Sequence, residues 1–295
     1  MPAAPDPTPL QQLSTSLSAV IAAAAPSVVS VHSHRAVSSG IVWKPGMIVT
    51  ADEALAEEGE VAVTLASGQR VAATVAGRDA TTDIALLRAE MGDAPAIELN
   101  GAPPPTGAIA FAVGSEDGRA IAAFGIVATS GPAWRSMRGG EIDARVELDL
   151  SLRRSAEGGL AIDASGRAFG MTVFGPRRRV LVIPVATIAR VATELEARGR
   201  IPRGYLGLGL QPVRLDRNGG VGAMVMSVDA DGPGARAGVC QGDVIAAWNG
   251  EPIGTVAALL RALGPKSVGT TVRLSLRRGG GDQTIDLVIG ERPQA

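Results

Sequence analysis

The chain has 295 residues, 28 Lys+Arg against 29 Asp+Glu and a formal net charge of −1, a length that allows two or three domains. This near-neutral balance gives no global attraction for nucleic acid or an anionic membrane, and an aromatic content of 3% supplies few stacking platforms. The single cysteine closes no internal disulfide, no Cys/His set has zinc spacing, and no run of about 20 apolar residues exists to span a bilayer.

Residues 1–9 hold four prolines and read as a disordered arm. Leu10, Leu13, Leu17 and Ile21 then recur at helical spacing, predicting a helix over 10–25 that Pro26 stops. From 27 to about 184 the texture changes to a dozen short strands: 28–33, 41–43, 47–50, 60–65, 70–76, 84–88, 108–113, 120–128, 144–149, 160–163, 168–173 and 180–183. Turn pairs such as Ser67-Gly68, Asp117-Gly118, Gly139-Gly140 and Ser165-Gly166 separate them. So many strands with almost no helix predict barrels or a sandwich, and Pro103-Pro104-Pro105 falls at its midpoint. A helix follows over 185–198, with Ile188, Val191, Ala192 and Leu195 on one face, ending at Gly199 and Pro202. Residues 203–292 form a further unit. Its strands are expected at 206–211, 223–228, 244–248, 271–277 and 283–289, with a helix over 255–263 and a type I′ turn at Asn249-Gly250.

The basic side chains are 26 Arg and only Lys44 and Lys266, beside two histidines, His32 and His34, and Cys240. This census limits every reading of a base or nucleophile. His32 and His34 are expected on one face of the first strand, an exposed polar edge or, with a third ligand, a metal pair. Arg177-Arg178-Arg179 reads as a solvated hairpin tip and Cys240 as a small, partly buried thiol.

Two passages carry a family resemblance. Ser39-Gly40-Ile41-Val42-Trp43 with Met47-Ile48-Val49-Thr50-Ala51, followed by Gly77-Arg78-Asp79-Ala80-Thr81-Thr82-Asp83-Ile84-Ala85-Leu86-Leu87, resembles the first barrel of an HtrA-type trypsin-like serine peptidase. The block from Leu150 to Gly170 resembles that family's nucleophile strand and the strand after it. In the last unit, Gly204-Tyr205-Leu206-Gly207-Leu208 resembles a PDZ carboxylate-binding loop, and 235–245 resembles the PDZ stretch ending Gly-Asp-Val-Ile. The resemblance implies a mostly β chain, a chymotrypsin-like double six-stranded β-barrel followed by a PDZ-like α/β domain. On that basis 1–25 is an arm and short helix, and 26–184 the double barrel with halves of about 26–102 and 107–184. Residues 185–202 are a connecting helix and linker, and 203–292 the PDZ-like domain.

The chemistry departs from the family at the catalytic positions. The family's triad His is Glu53 here, its Asp is present as Asp83, and its nucleophilic Ser is Glu157 within Ser155-Ala156-Glu157-Gly158-Gly159. Loss of the nucleophile or the base from such a triad costs on the order of 10⁶ in turnover. A carboxylate is a weak nucleophile toward an amide, and its charge opposes the donors of the oxyanion pocket. The resemblance places that former oxyanion region at Ser155 and Glu157. The two histidines lie upstream of the active-site segments, and Lys44, Lys266 and Cys240 have no partner in sequence, so no other peptidase machinery assembles.

Three carboxylates converging at Glu53, Asp83 and Glu157 repel one another and raise at least one pKa. Such a cluster suits a hard cation or paired-carboxylate chemistry. The plainer reading turns Glu53 or Glu157 to solvent, or pairs it with Arg153 or Arg154. The expectation is therefore a proteolytically inactive homologue that works by binding. No cofactor and no resident metal is implied. The partners expected are peptide or protein C-termini, held by the Tyr205, Leu206, Gly207 and Leu208 loop beside the strand that follows, and an active peptidase relative. The roles this admits are scaffold, chaperone-like holder or regulator; the alternative is a residual or altered enzyme. With the first positive side chain at Arg35 there is no basic leader, so a cytoplasmic location is expected, whereas the family is often periplasmic.

Overall fold

The computed structural model describes residues 8–34, 36–215 and 220–293. The described residues up to Ile201 form one compact unit and those from Pro202 form another. The Pro-rich arm expected over 1–9 lies largely outside the described residues. Its last two residues open the first helix, α1 (Pro9–Ala24), where Thr8 and Gln11 form a capping box and Pro9 takes the first helical position. Pro26 ends it in a 3₁₀ turn over Ala25–Ser27.

Six antiparallel strands then close a barrel: β1 (Val28–Ser33), β2 (Ala36–Lys44), β3 (Met47–Thr50), β4 (Val61–Thr64), β5 (Arg70–Asp79) and β6 (Ile84–Ala89), in the order β1-β2-β3-β6-β5-β4. A second barrel begins with β7 (Ile109–Glu116) and β8 (Arg119–Gly131). A small hairpin follows, β9 (Trp134–Arg135) with β10 (Glu141–Ile142). The barrel is completed by β11 (Arg145–Asp149), β12 (Leu160–Asp163), β13 (Ala168–Phe174) and β14 (Val180–Pro184), in the order β11-β14-β13-β12-β7-β8.

Alternation along a strand divides the side chains between cores. On β2, Val42 joins Val29, Val31 and Ile48 inside the first barrel, while Ile41 and Trp43 turn to the core shared with Phe111, Val113 and Leu160 of the second. Closure leaves β1 no free edge, since it pairs with both β2 and β4. The polar edge expected at His32 and His34 is therefore absent. His32 is half-buried, its Nε2 2.9 Å from Thr64 Oγ1. His34 lies beyond the strand in a turn, with φ of 53°, so the two do not share a strand face.

Helix α2 (Val185–Arg198) spans the expected residues but is more than a connector. Ile188, Val191, Ala192 and Leu195 are buried in the same core as Ile84, Leu86 and Met171. The strands β5, β6, β13 and β14 pack against it.

The second unit is built from β15 (Gly204–Tyr205), β16 (Leu208–Arg214), β17 (Val221–Val228), α3 (Pro233–Arg236), β18 (Val244–Trp248), β19 (Glu251–Pro252), α4 (Val256–Ala262), β20 (Thr271–Arg278), β21 (Gly281–Val288) and β22 (Gly290–Glu291). The sheet order is β16-β17-β18-β20-β21, which leaves β16 and β21 at its edges among the described residues. Asn249 and Gly250 both have positive φ between β18 and β19, as a type I′ turn requires. Cys240 is exposed rather than partly buried. No helix of the described residues is long and apolar enough to cross a membrane.

Candidate functional site

Two places in the fold hold the residues singled out from sequence: the segments carrying Glu53, Asp83 and Glu157 in the first unit, and the turn leading into β16 in the second. In the first, Asp83 sits at the end of a turn shaped by Asp79. The Asp79 carboxylate accepts from Thr81 N at 3.1 Å, Thr81 Oγ1 at 2.6 Å and Thr82 Oγ1 at 2.7 Å. That turn puts Asp83 at φ 57°, a left-handed conformation Asp tolerates.

From there Asp83 Oδ1 accepts the backbone N–H of Glu53 at 2.8 Å. The segment carrying Glu53 is fixed by Arg78, whose guanidinium bonds Asp52 Oδ1 at 2.6 Å and the carbonyls of Asp52, Leu55 and Ala56. The Glu53 side chain itself is turned outward and pairs with Arg138 Nη2 at 3.0 Å, on the β9–β10 hairpin. Arg153 lies instead 3.9 Å from Glu116. Glu53 thus pairs with neither of the arginines expected for it.

Glu157 follows a 3₁₀ turn, Arg154–Ala156, and is half-buried. Its Oε1 accepts from Phe174 N at 3.3 Å, and its carbonyl accepts from Ser39 N at 2.7 Å. Ser39 Oγ in turn donates to the Ser155 carbonyl at 2.6 Å, tying this loop to β2. Four backbone donors of this loop are occupied: Glu157 N–H donates to Arg154 O at 3.1 Å, Ala156 to Arg153, Gly158 to Thr172 and Gly159 to Ala156. An oxyanion pocket needs such N–H groups aimed at open space.

Burial pushes the Asp83 carboxyl up to about 7, aided by the charges of Glu53, Glu157 and Asp52 and opposed by the Glu53 N–H. Burial also raises Glu157, with Glu53 adding to it, while Phe174 N–H, Arg154 and Arg178 pull the other way. The expected mutual repulsion is present, yet desolvation is the larger cause at both groups. No group of three His, Cys, Asp or Glu side chains among the described residues is placed to hold a metal ion. Glu53, Asp83 and Glu157 therefore do not form the cation cluster weighed from sequence.

In the second unit Tyr205, Leu206, Gly207 and Leu208 run from the end of β15 into β16, which begins two residues later than the sequence suggested because Gly207 is left-handed at φ 67°. The Leu206 carbonyl accepts from Gly234 N at 2.7 Å, and the Gly207 carbonyl accepts from Asp229 N at 2.9 Å. In a trans peptide the C=O and the following N–H point in opposite directions. The N–H groups of Gly207 and Leu208 therefore both face away from the 229–234 segment. The Asp229-to-Gly207 bond also makes Leu208 and Val228 a non-hydrogen-bonded pair, leaving the Leu208 N–H unused by β17. Two successive N–H groups on one side of a left-handed turn make an anion-binding concavity.

Beside it, Leu208 and Leu210 of β16 share a core with Val256, Leu259 and Leu263 on and after α4. Leu259 is the buried member of that helix, and Leu260 is 54% exposed. Sequence periodicity did not assign these faces.

Comparison with known proteins agrees with both halves. The trypsin-like peptidase domain matches residues 38–171 and the PDZ domain matches 204–289. A probable periplasmic serine endoprotease, DegP-like, of Pseudomonas fulva is 31% identical over 271 residues, covering 87% of this chain and 56% of the relative. The chain spans just over half the length of the curated relatives it matches. The crystal structure of the serine endoprotease from Yersinia pestis superposes with a TM-score of 0.72 at 25% identity, covering 98% of this chain and 100% of that one. The HtrA-type protease AlgW with a decapeptide shares the fold, with a TM-score of 0.70 at 21% identity over 94% of this chain and 98% of its own. Over its two units the chain is HtrA/DegP-like, a trypsin-like peptidase domain followed by one PDZ domain.

Proposed function

We propose that this chain is a proteolytically inactive HtrA-type homologue that acts by holding peptide or protein C-termini in its PDZ domain. The observation that carries the reading is the state of the nucleophile position. Glu157 stands where the family has serine, and its N–H, one of the two oxyanion donors in the family pattern, is bonded to Arg154 O. Serine attack further needs a neutral base able to take and return a proton. Glu53 is turned out to Arg138, and His32 is bonded to Thr64 in the first barrel.

Peptide capture draws support from the Gly207 and Leu208 N–H groups, the open edge of β16 and the apolar residues of α4. A solved HtrA-type protease that carries a decapeptide has the same fold, which fits this mode. The scaffold, chaperone-like and regulatory roles all follow from capture, and an active peptidase relative is a natural partner for the last.

The test pairs casein digestion with labelling by a fluorophosphonate serine probe, on the wild type and on Glu53→His/Glu157→Ser. The wild type is expected at background in both assays. Cleavage or labelling above that level by the wild type overturns the inactive reading in favour of a residual or altered enzyme. The double substitution restores side chains without freeing the Glu157 donor, so it too is expected to cleave poorly.

A further inference from the structure

The PDZ loop is held from behind by one side chain that neither the fold nor the family pattern assigns a task. Asp229 follows β17 and opens a tight turn in which Gly232 N donates to Asp229 O at 2.8 Å. This turn packs directly under Gly207. A Cβ on Gly207 would stand 2.9 Å from Gly232 Cα and 3.5 Å from Asp229 Cβ. The backbone of Asp229 supplies the bond to the Gly207 carbonyl that turns the Leu208 N–H toward the groove. Its side chain makes a second tie, because Tyr205 Oη donates to the Asp229 carboxylate.

These two ties from Asp229 act at the loop's first residue and at its left-handed residue, on either side of the Leu206 carbonyl that Gly234 N holds. Tyr205 is also held through its backbone pairing with Gly290. An exposed loop of this kind samples other peptide orientations unless something fixes them. An anion site made of backbone N–H groups gains its affinity from their being aimed before the ligand arrives.

We propose that Asp229 is the positioning residue of the carboxylate loop, holding Tyr205 so that the Gly207 and Leu208 N–H groups converge on the terminal carboxylate of a bound peptide. This rests on the peptide-capture reading above. Asp229 touches the loop and not the ligand, so its effect is confined to the carboxylate end of the peptide. Recognition of the preceding side chains by β16 and α4 does not depend on it.

The experiment uses the full chain and an array of decapeptides with apolar residues at the last three positions, each made as the free acid and as the C-terminal amide. The wild type is expected to prefer acid over amide by about tenfold or more, the value of a hydrogen bond to a charged group. Asp229→Ala is expected to bring the acid-to-amide ratio close to one, and Tyr205→Phe to do the same. Asp229→Asn, which keeps an acceptor for Tyr205, restores most of the preference. Hydrogen exchange across 203–209 without ligand should quicken in the first two variants and not in the third.

An unchanged ratio in Asp229→Ala overturns the assignment while leaving peptide capture standing. Equal loss of acid and amide binding also overturns it, because that pattern marks general damage to the domain. If Asp229→Ala does not fold, Tyr205→Phe, which removes only a hydroxyl, decides between the same outcomes. A wild type that retains no peptide in either form overturns the capture reading and this one together.

Discussion

A carboxylate raised by burial makes a protein less stable when it ionises, and Asp83 is the clearest case in this chain. Its ordinary value is 3.8 and it titrates at about 7 in the folded protein. Between those two values the folded state holds a proton that the unfolded state has released, so stability falls as pH rises through the window and levels off above it. Asp143, Asp163 and Asp243 have the opposite shift, and their contribution is lost only at lower pH, below the ordinary carboxylate range. His32, lowered mainly by burial, adds stability as pH rises toward its unfolded value. The comparison with Asp83→Asn removes these other terms. The amide keeps an oxygen for the Glu53 N–H but cannot ionise. Urea midpoints at pH 4.5 and 7.5 should show the wild type losing ground to Asp83→Asn at the higher pH. A constant difference between the two proteins would mean that Asp83 is solvated and ordinary.

At the scale of elements, the β9–β10 hairpin closes over the same site and was not visible in the sequence. The Gly139-Gly140 pair falls between its strands, just after the Met137-Arg138 turn, but strands of two residues give no alternation from which to find them. The hairpin is held from outside itself. Ser136 Oγ donates to Thr81 O at 2.5 Å, Arg138 Nη1 to Ala80 O at 3.2 Å, and Arg138 also pairs with Glu53. Gly140 lies so close to that turn that a Cβ would stand 2.2 Å from the Thr81 carbonyl oxygen. Gly140→Ala must therefore push the hairpin off the 80–81 turn, at a cost of about 1–3 kcal/mol. The expected readout is faster tryptic cleavage after Arg135 and Arg138 under native conditions. Cleavage at the wild-type rate would show that the hairpin is not seated there. The same contrast separates what sequence could and could not reach at the site. Glu53, Asp83 and Glu157 are singled out by the family resemblance of the motifs around β3, β6 and β12. The Arg138 contact escaped because it depends on where a loop from another part of the chain comes to rest, and the occupied Glu157 N–H because it follows from a short 3₁₀ turn that no residue pattern marks.

At the scale of the molecule, the apolar side chains gather into separate cores, and which core a residue serves decides what its loss should affect. The barrel strands and α2 share cores through Leu195, Ile188 and Phe111. The second unit has its own, around Val225, Ile245, Leu274 and Leu287. Short runs between turn residues mark each of these strands longer than two residues. The helix α2 was also marked, but periodicity names a buried face without saying what buries it. Leu195, fully buried, tests that assignment. Leu195→Ala should cost about 2–5 kcal/mol, and it should do so in the barrel unit. Asp243 makes the matching test in the second unit. It is buried and accepts from Arg278 Nε at 2.7 Å, Arg278 Nη2 at 2.8 Å and Cys240 N at 2.8 Å. Removing that acceptor in Asp243→Ala leaves three donors without it, a loss of about 2 kcal/mol or more. With separate cores, calorimetry of the full chain should resolve two transitions. Leu195→Ala should lower one of them and Asp243→Ala the other. If α2 were only a connector, Leu195→Ala would shift neither; if the chain unfolded as one body, both substitutions would lower a single transition.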